Sequence, residues 1–206
     1  MVLELLKAMV VGVCAALPVG PVLILVLQKT MRRGRWAGTV AGIGSALIDT
    51  LYAAVGLFAL TLLKDFIARE TPYILLFGGI LVCLLGVMII HKDSSAGLDE
   101  GESHLTMAGY AVQTAGCALS NPAAIAVMMG ILSVLKLDAQ TLTVPVWAVL
   151  LFVFMGEMLY WFSLSWAVGR FLKVSPRTLR IFSKICGAVI AVFGVVLVIK
   201  GIIALN

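Results

Sequence analysis

The chain has 206 residues, of which 62% are hydrophobic and only 12% are charged, and its mean hydropathy is +1.14. A soluble domain usually has about 25% charged residues, so this composition excludes a soluble globular protein and indicates an integral membrane protein. The formal net charge of +5 does not indicate nucleic-acid binding, because the basic residues are concentrated in two short links between apolar segments.

Six apolar segments are long enough to cross a bilayer, which requires about 20 mostly apolar residues per helix. The first segment begins near the N-terminus and ends in positive charge, so we interpret it as an uncleaved span and not as a signal peptide. No polar stretch is long enough for a soluble domain. We therefore predict an all-α membrane protein in which residues 1–206 form one domain. The predicted spans are Leu3–Gln28, Ala37–Leu63, Tyr73–Ile90, Met107–Leu135, Val144–Val168 and Leu179–Leu205.

The first predicted span contains a helix break. Pro18, Gly20 and Pro21 interrupt its apolar run, and proline lacks the backbone N–H that a helix interior needs. In lipid, unwound backbone is tolerated only where protein or a water-filled cavity covers it. A basic link, Lys29–Arg35, follows this span.

The second predicted span contains an acidic residue, Asp49, with Ser45 and Tyr52 on the same helical face. A carboxylate near the middle of a span costs about 2.5–3.5 kcal/mol on insertion scales. We therefore expect Asp49 to face a cavity or the interior of the helix bundle.

The second half of the chain repeats this pattern. Asn121-Pro122 interrupts the fourth span, and Glu157-Met-Leu-Tyr160 in the fifth span parallels Asp49-Thr-Leu-Tyr52 in the second. Each half has three spans, an odd number, so the halves would insert with opposite orientations. We predict two inverted three-helix repeats, residues 1–90 and 107–206, joined by a flexible acidic link at 91–106, with a binding site near the midplane.

The distribution of basic residues predicts the orientation. Ten of the fifteen Lys and Arg residues lie in links on one side of the predicted spans, and this side is expected to be cytoplasmic. Both termini would then be non-cytoplasmic.

Eight residues form the predicted substrate and proton site. The two acids would carry protons or bind a substrate ammonium, the two breaks would present backbone N–H groups to a substrate carboxylate, and the two tyrosines would line or gate the cavity. The alternatives are that the acids are structural, that the breaks are ordinary proline kinks, and that the tyrosines form hydrogen bonds between helices. The polar Gln113 and Thr114 could likewise line the cavity or form hydrogen bonds between helices. The predicted site residues are Asp49, Glu157, Gly20, Pro21, Asn121, Pro122, Tyr52 and Tyr160.

The remaining residue types indicate no catalytic or metal chemistry. Four cysteines lie apart in apolar runs and are interpreted as small buried hydrophobic residues. His91 and His104 flank the acidic link and are interpreted as solvated. Trp147, Trp161 and Trp166 are interpreted as interface anchors or lipid-facing bulk. No nucleophile–base pair or phosphate loop is found, so we predict no enzyme activity, no cofactor and no metal site.

The ordered set of motifs resembles the LysE-type amino acid exporter family. The set comprises Gly20-Pro21, the basic link, the glycine-rich span with Asp49, and Asn121-Pro122, and it covers almost the whole chain. The resemblance implies export of amino acids or related solutes, driven by an ion gradient and often by an oligomer. The family commonly has a basic residue and aromatic residues after its Asn-Pro, whereas here the uncharged aliphatic segment Ala123–Val127 follows.

The leading hypothesis is a multi-pass transporter of the plasma or inner membrane that exports an amino acid or similar small polar solute by proton antiport. Its partners would be the solute, protons or another coupling ion, the lipid bilayer and further copies of the chain. One alternative is a divalent-metal exporter, since the wider superfamily includes metal exporters. Another is a membrane scaffold or chaperone without transport activity, which would tolerate Asp49→Asn.

Overall fold

A computed structural model describes residues 1–17, 20–62, 64–91, 106–170 and 176–205. Within these ranges the chain is all-helical and contains no strand, which confirms the predicted all-α class. Both predicted breaks are present, one before Pro21 and one before Pro122. The helices are α1 (Val2–Ala16), α2 (Pro21–Arg33), α3 (Arg35–Leu62), α4 (Lys64–His91), α5 (Met107–Leu119), α6 (Pro122–Val134), α7 (Val146–Arg170) and α8 (Pro176–Leu205).

Three helices of the described part are long and apolar enough to cross a membrane: α3 over Arg35–Ala59, α7, and α8 over Gly187–Leu205. A fourth span is present if α1 and α2, which are bent by 82° relative to each other, form one broken span. The apolar part of α4, Leu76–Met88, is shorter. The arrangement of six spans in two inverted repeats therefore stays a prediction. The acidic link lies, apart from its end residues, outside the described residues.

The basic link predicted at Lys29–Arg35 is not a loop. Helix α2 continues to Arg33 and α3 begins at Arg35. Gly34, the residue between them, has φ +91, a backbone conformation that side-chain-bearing residues rarely adopt. Lys29 is buried, with its ammonium 4.8 Å from the centroid of the Tyr110 ring.

Helix α4 starts earlier than the predicted span Tyr73–Ile90. It begins at Lys64 and passes through Pro72 without a break in the helix. A proline inside a helix removes one hydrogen bond and does not always end the helix.

Helix α3 lies at the centre of the bundle, where it packs on α2, α5, α6 and α7. It runs antiparallel to α7, because Gly38 approaches Ser165 while Gly42, further along α3, approaches Trp161, which lies earlier in α7. Thr114 of α5 donates a hydrogen bond to the backbone carbonyl of Ala41 in α3.

Two hydrophobic clusters occupy the two ends of this bundle. One cluster contains Ala41 of α3 and Trp161 of α7. The other contains Ala53 of α3 and Val153 of α7. The segments of α3 and α7 between these residues therefore lie at the boundary between the two clusters.

Helices α4 and α8 form an antiparallel pair that packs mainly on itself. Glycines lie at the closest contacts, because a side chain on Gly79 would meet the backbone of α8, and one on Gly194 would meet the backbone of α4 at Cys83. Small residues let membrane helices approach each other at backbone distance.

Candidate functional site

The structure brings the two predicted acids together. Asp49 is the fifteenth of 28 residues in α3, and Glu157 is the twelfth of 25 in α7. Their carboxyl groups are close enough to interact directly. Asp49 is 8% exposed and Glu157 is fully buried. Two carboxyl groups from the two halves of the chain thus meet at the midpoints of two antiparallel helices.

Asp49 is held by its own helix. The hydroxyl of Ser45, one turn earlier, donates to Oδ2 of Asp49 over 3.2 Å. Ser45 is 2% exposed, so its hydroxyl group has to find a hydrogen-bond acceptor within the protein. This confirms that Ser45 and Asp49 share a helical face.

Glu157 accepts a hydrogen bond from its own helix. The indole N–H of Trp161 donates to Oε1 over 3.0 Å. The other oxygen, Oε2, is buried and has no hydrogen-bond partner within the described part of the chain. An unsatisfied buried carboxyl oxygen is costly, so this oxygen marks a position where a donor or a cation would be stabilised.

Neither acid is neutralised by a basic side chain of the described residues. The ion pair found there joins the N-terminal ammonium to Glu4, near the start of α1. Burying carboxylates without a counter-charge is strongly unfavourable. The pair therefore needs a proton, an ammonium or a metal ion for charge compensation.

Glycines allow the helices around the two acids to approach. A side chain on Gly12 of α1 would overlap the backbone of α7 at Val153 and Glu157, and one on Gly42 of α3 would overlap Trp161. A side chain on Gly44 would likewise overlap α5 at Ala111. The close fit leaves little room for adjustment beside the acids.

Tyr52 connects α3 to the second break. Its hydroxyl donates to the backbone carbonyl of Leu119 over 3.1 Å, at the C-terminal end of α5. Because Tyr52 lies one turn beyond Asp49, the second break is placed next to the helix that carries this acid. The hydroxyl is bonded to backbone, which matches the alternative of an inter-helix hydrogen bond.

Local hydrogen bonds also stabilise the second break. The backbone N–H of Asn121 donates to Ala118 O over 3.0 Å, and the hydroxyl of Ser120 donates to Gly116 O over 2.8 Å. Asn121 is half-buried. Pro122 is the first residue of α6, a position where its missing N–H costs nothing.

The described residues of the first break include Gly20. Gly20 has extended backbone and precedes Pro21, the first residue of α2. An added side chain on Gly20 would meet no atom of the other described residues within 4 Å. The first N–H groups of a helix have no partner inside the helix, so the start of α2 presents donors beside an open space.

Trp161 is a site residue that the sequence interpretation missed. Its predicted role as an interface anchor or lipid-facing bulk is wrong, because Trp161 is 2% exposed and bonds Glu157. Its spacing of four residues from Glu157 on one helix was the available signal. Tyr160 does not join the acids; its ring packs edge-on against Trp161 at a centroid distance of 5.0 Å.

Two sequence comparisons with known proteins give a match. The family profile described as LysE type translocator matches residues 13–201. The chain is 26% identical over 190 residues to "Uncharacterized membrane protein YahN" of Escherichia coli (strain K12), a match that covers 89% of this chain and 83% of that protein. A comparison with solved structures finds no significant match. The profile covers almost the whole chain, including both helix breaks and both buried acids, and the chain belongs to the LysE type translocator family of membrane transport proteins.

Proposed function

We propose that the protein exports an amino acid or a similar small polar solute across the cytoplasmic membrane in exchange for protons. The observation that carries this proposal is the buried pair of Asp49 and Glu157, which interact directly at the midpoints of α3 and α7. Family membership supports transport of a solute; the substrate and the coupling ion are inferred from the chemistry of this pair.

We infer that a proton and a substrate ammonium compete for this pair of carboxyl groups. Two adjacent carboxyl groups in an apolar interior cannot both stay ionised without compensation. A proton or a substrate ammonium can provide it, and each would then exclude the other. Binding of one releases the other, which is the thermodynamic requirement for antiport.

The substrate carboxylate would bind at the first helix break. The start of α2 offers backbone N–H groups and the positive end of a helix dipole. No other described residue occupies the space beside Gly20, whereas at the second break the backbone N–H groups of Asn121 and Ala124 already donate to Ala118 O and Asn121 O. The first break is therefore the better candidate for an anionic group, and Asn121 with Pro122 would serve mainly to let α5 and α6 tilt.

Alternating access would move one half of the chain against the other. The antiparallel packing of α3 on α7 supports this, since each is the helix that carries the acid in its half. The antiparallel pair of α4 and α8 is the corresponding pair of third helices. In this arrangement both termini lie outside the cytoplasm, and Tyr52 and Tyr160 occupy equivalent places one turn beyond the two acids.

A divalent-metal exporter is the second candidate, and the unpartnered Oε2 of Glu157 is the observation that favours it. Metal ions such as Mg²⁺ and Ca²⁺ prefer oxygen ligands. Against this, the described residues contain no group of three or more His, Cys, Asp or Glu side chains that could hold a metal ion. Two carboxyl groups and a serine hydroxyl suit an ammonium or a proton better.

The test is counterflow in proteoliposomes. Vesicles loaded with a mixture of amino acids and divalent ions receive a pH gradient, and wild type is compared with Asp49→Asn, Glu157→Gln and the control Glu70→Gln on α4. We expect gradient-driven amino acid efflux in wild type and the control, and a loss of at least about 100-fold in the two site variants.

Three other results would contradict the proposal in different ways. Efflux of metal ions alone would select the metal-exporter hypothesis. Normal coupled efflux by folded Asp49→Asn protein would remove the acid pair from the mechanism. No gradient-dependent flux of either class in wild type would contradict proton-coupled export of amino acids.

A further inference from the structure

An aromatic cluster with an arginine lies at the end of α3 and α7 that is remote from Glu4. The rings of Trp36, Phe162 and Trp166 contact one another, with centroid distances of 5.8 Å for Trp36–Trp166 and 5.1 Å for Phe162–Trp166. The guanidinium carbon of Arg35 lies 3.9 Å from the centroid of the Trp166 ring. Arg35, Trp36, Phe162 and Trp166 are called the Arg35 site below.

Hydrogen-bond donors exceed acceptors at the Arg35 site. A guanidinium has five N–H donors, and stacking on a ring satisfies none of them. Among the described residues no carboxylate forms an ion pair with Arg35. The indole Nε1 of Trp166 is also buried without a hydrogen-bond partner in the described part of the chain. These donors are therefore unpaired among the described residues, and a negatively charged group that accepts hydrogen bonds would satisfy them.

The backbone adds to this preference for an anion. Arg35 is the first residue of α3, so the N–H groups of the first turn, which have no partner inside the helix, are at the same place. These backbone donors are independent of the side chains, and they also favour an anion.

The aromatic side chains face outward beside these donors. Trp36 is 57% exposed and Phe162 is 40% exposed. Tryptophan is enriched at the membrane–water interface, where its ring sits at the level of lipid headgroups. Donors and exposed aromatic surface thus lie side by side at an end of two membrane helices.

We propose that the Arg35 site binds the phosphate group of an anionic phospholipid. Arg35 and the start of α3 would bind the phosphate oxygens, and Trp36 and Phe162 would contact the glycerol and the first methylenes of the acyl chains. Free phosphate would use the same donors but would leave this aromatic surface uncovered, which is why a lipid is the better occupant.

This site lies outside the acid pair, and its assignment does not depend on the transported solute. It is connected to that pair through the two helices that form it, since α3 carries Asp49 and α7 carries Glu157. A bound lipid would join the ends of these helices, so the lipid composition would influence their relative movement.

The experiment measures quenching of tryptophan fluorescence by brominated lipids in a Trp147→Phe background. Trp147 is 68% exposed and would otherwise report on other lipid, whereas Trp161 is buried, so the remaining lipid-accessible signal comes from Trp36 and Trp166. Brominated phosphatidylglycerol is compared with brominated phosphatidylcholine in bilayers of matched bromine content. We expect phosphatidylglycerol to bind about five-fold more tightly, the factor for about 1 kcal/mol per arginine.

The Arg35→Gln variant should lose this preference, while the Arg177→Gln variant, which removes the same charge from α8, should keep it. Arg35→Lys retains the charge without the planar stack and should keep part of the preference. Thermal unfolding shows whether the Arg35→Gln protein is folded. If it is not, the proposal is tested by the lipid preference of wild type and by its reduction in the Arg35→Lys variant.

Several outcomes would overturn the proposal. Equal quenching by the two lipids in wild type would show that no anionic lipid is selected. A preference for phosphatidylglycerol that survives Arg35→Gln, or that disappears equally in Arg177→Gln, would show that it comes from the general surface charge and not from the Arg35 site. Displacement of the lipid by inorganic phosphate at low millimolar concentration would assign the site to a soluble anion.

Discussion

The indole N–H of Trp161 donates to Oε1 of Glu157 over 3.0 Å, one turn apart on α7, and neither side chain has significant exposure. The ring of Trp161 also fills the space beside Gly42 of α3. One side chain therefore orients the buried acid of α7 and sets the distance to the helix that carries Asp49. Four substitutions test this packing and two other contacts between helices.

Replacing Trp161 with phenylalanine removes the donor to Glu157 while keeping an aromatic ring. The carboxyl group of Glu157 would lose the N–H donor that bonds its Oε1, and a lost hydrogen bond to a charged group costs about 1.5–3 kcal/mol. We expect a lower midpoint of thermal unfolding in detergent and at least about ten-fold slower solute efflux. The matched control is Trp147→Phe, because Trp147 is exposed on the same helix. Equal effects of the two substitutions would show that the bond to Glu157 is unimportant.

Replacing Gly42 with alanine should separate α3 from α7 next to the acid pair. The new methyl group would overlap Trp161, and overpacking of this kind costs about 1–3 kcal/mol. The measurements are thermal unfolding and the initial rate of efflux, both of which should fall. Gly116→Ala is the control, since no atom lies within 4 Å of the added group and alanine favours helix. A stable, fully active Gly42→Ala protein would contradict the packing described for this interface.

Replacing Tyr52 with phenylalanine removes the hydrogen bond to the carbonyl of Leu119 at the second break. The expected cost is about 0.5–1.5 kcal/mol, and amide hydrogen exchange around Ser120 and Asn121 should become faster as the end of α5 loosens. Tyr73→Phe on α4 is the control, because Tyr73 is 52% exposed. Unchanged exchange in Tyr52→Phe would mean that this bond does not hold the break.

Replacing Gly194 with leucine should separate α8 from α4. The side chain would overlap the backbone of Cys83 and the carbonyl of Gly79, and there is no flexible group that could move away. We expect a larger loss of thermal stability than from Gly78→Leu, whose added side chain begins in open space. Should Gly194→Leu be the milder of the two, the described contact between these helices would be wrong.

Much of the local structure was predictable from the order of the residues. Both helix breaks follow from proline positions, because Pro21 and Pro122 can begin a helix but disrupt its interior. The burial of Asp49 and Glu157 follows from the cost of a charge in lipid, and the bond from Ser45 to Asp49 follows from the helical period. These are properties of neighbouring residues in one helix.

Some expectations failed because they depended on which helix positions the neighbouring helices bury. Lys29 was expected in a link and is buried against Tyr110 of α5. Trp161 was expected to face lipid and instead bonds Glu157. The hydropathy pattern allows a lysine or a tryptophan at these positions to be either exposed or buried. The outcome depends on whether neighbouring helices cover the position.

The sequence by itself determined the class of the protein, the places where its helices break and the helical face on which each acid lies, because these depend on hydropathy and on backbone geometry within about one turn. Only the tertiary structure decided that Asp49 and Glu157 meet, that Lys29 lies against Tyr110, and that Arg35 stacks on Trp166. Those contacts join residues far apart in the chain, and their distances depend on how closely glycines such as Gly12 and Gly42 let whole helices approach.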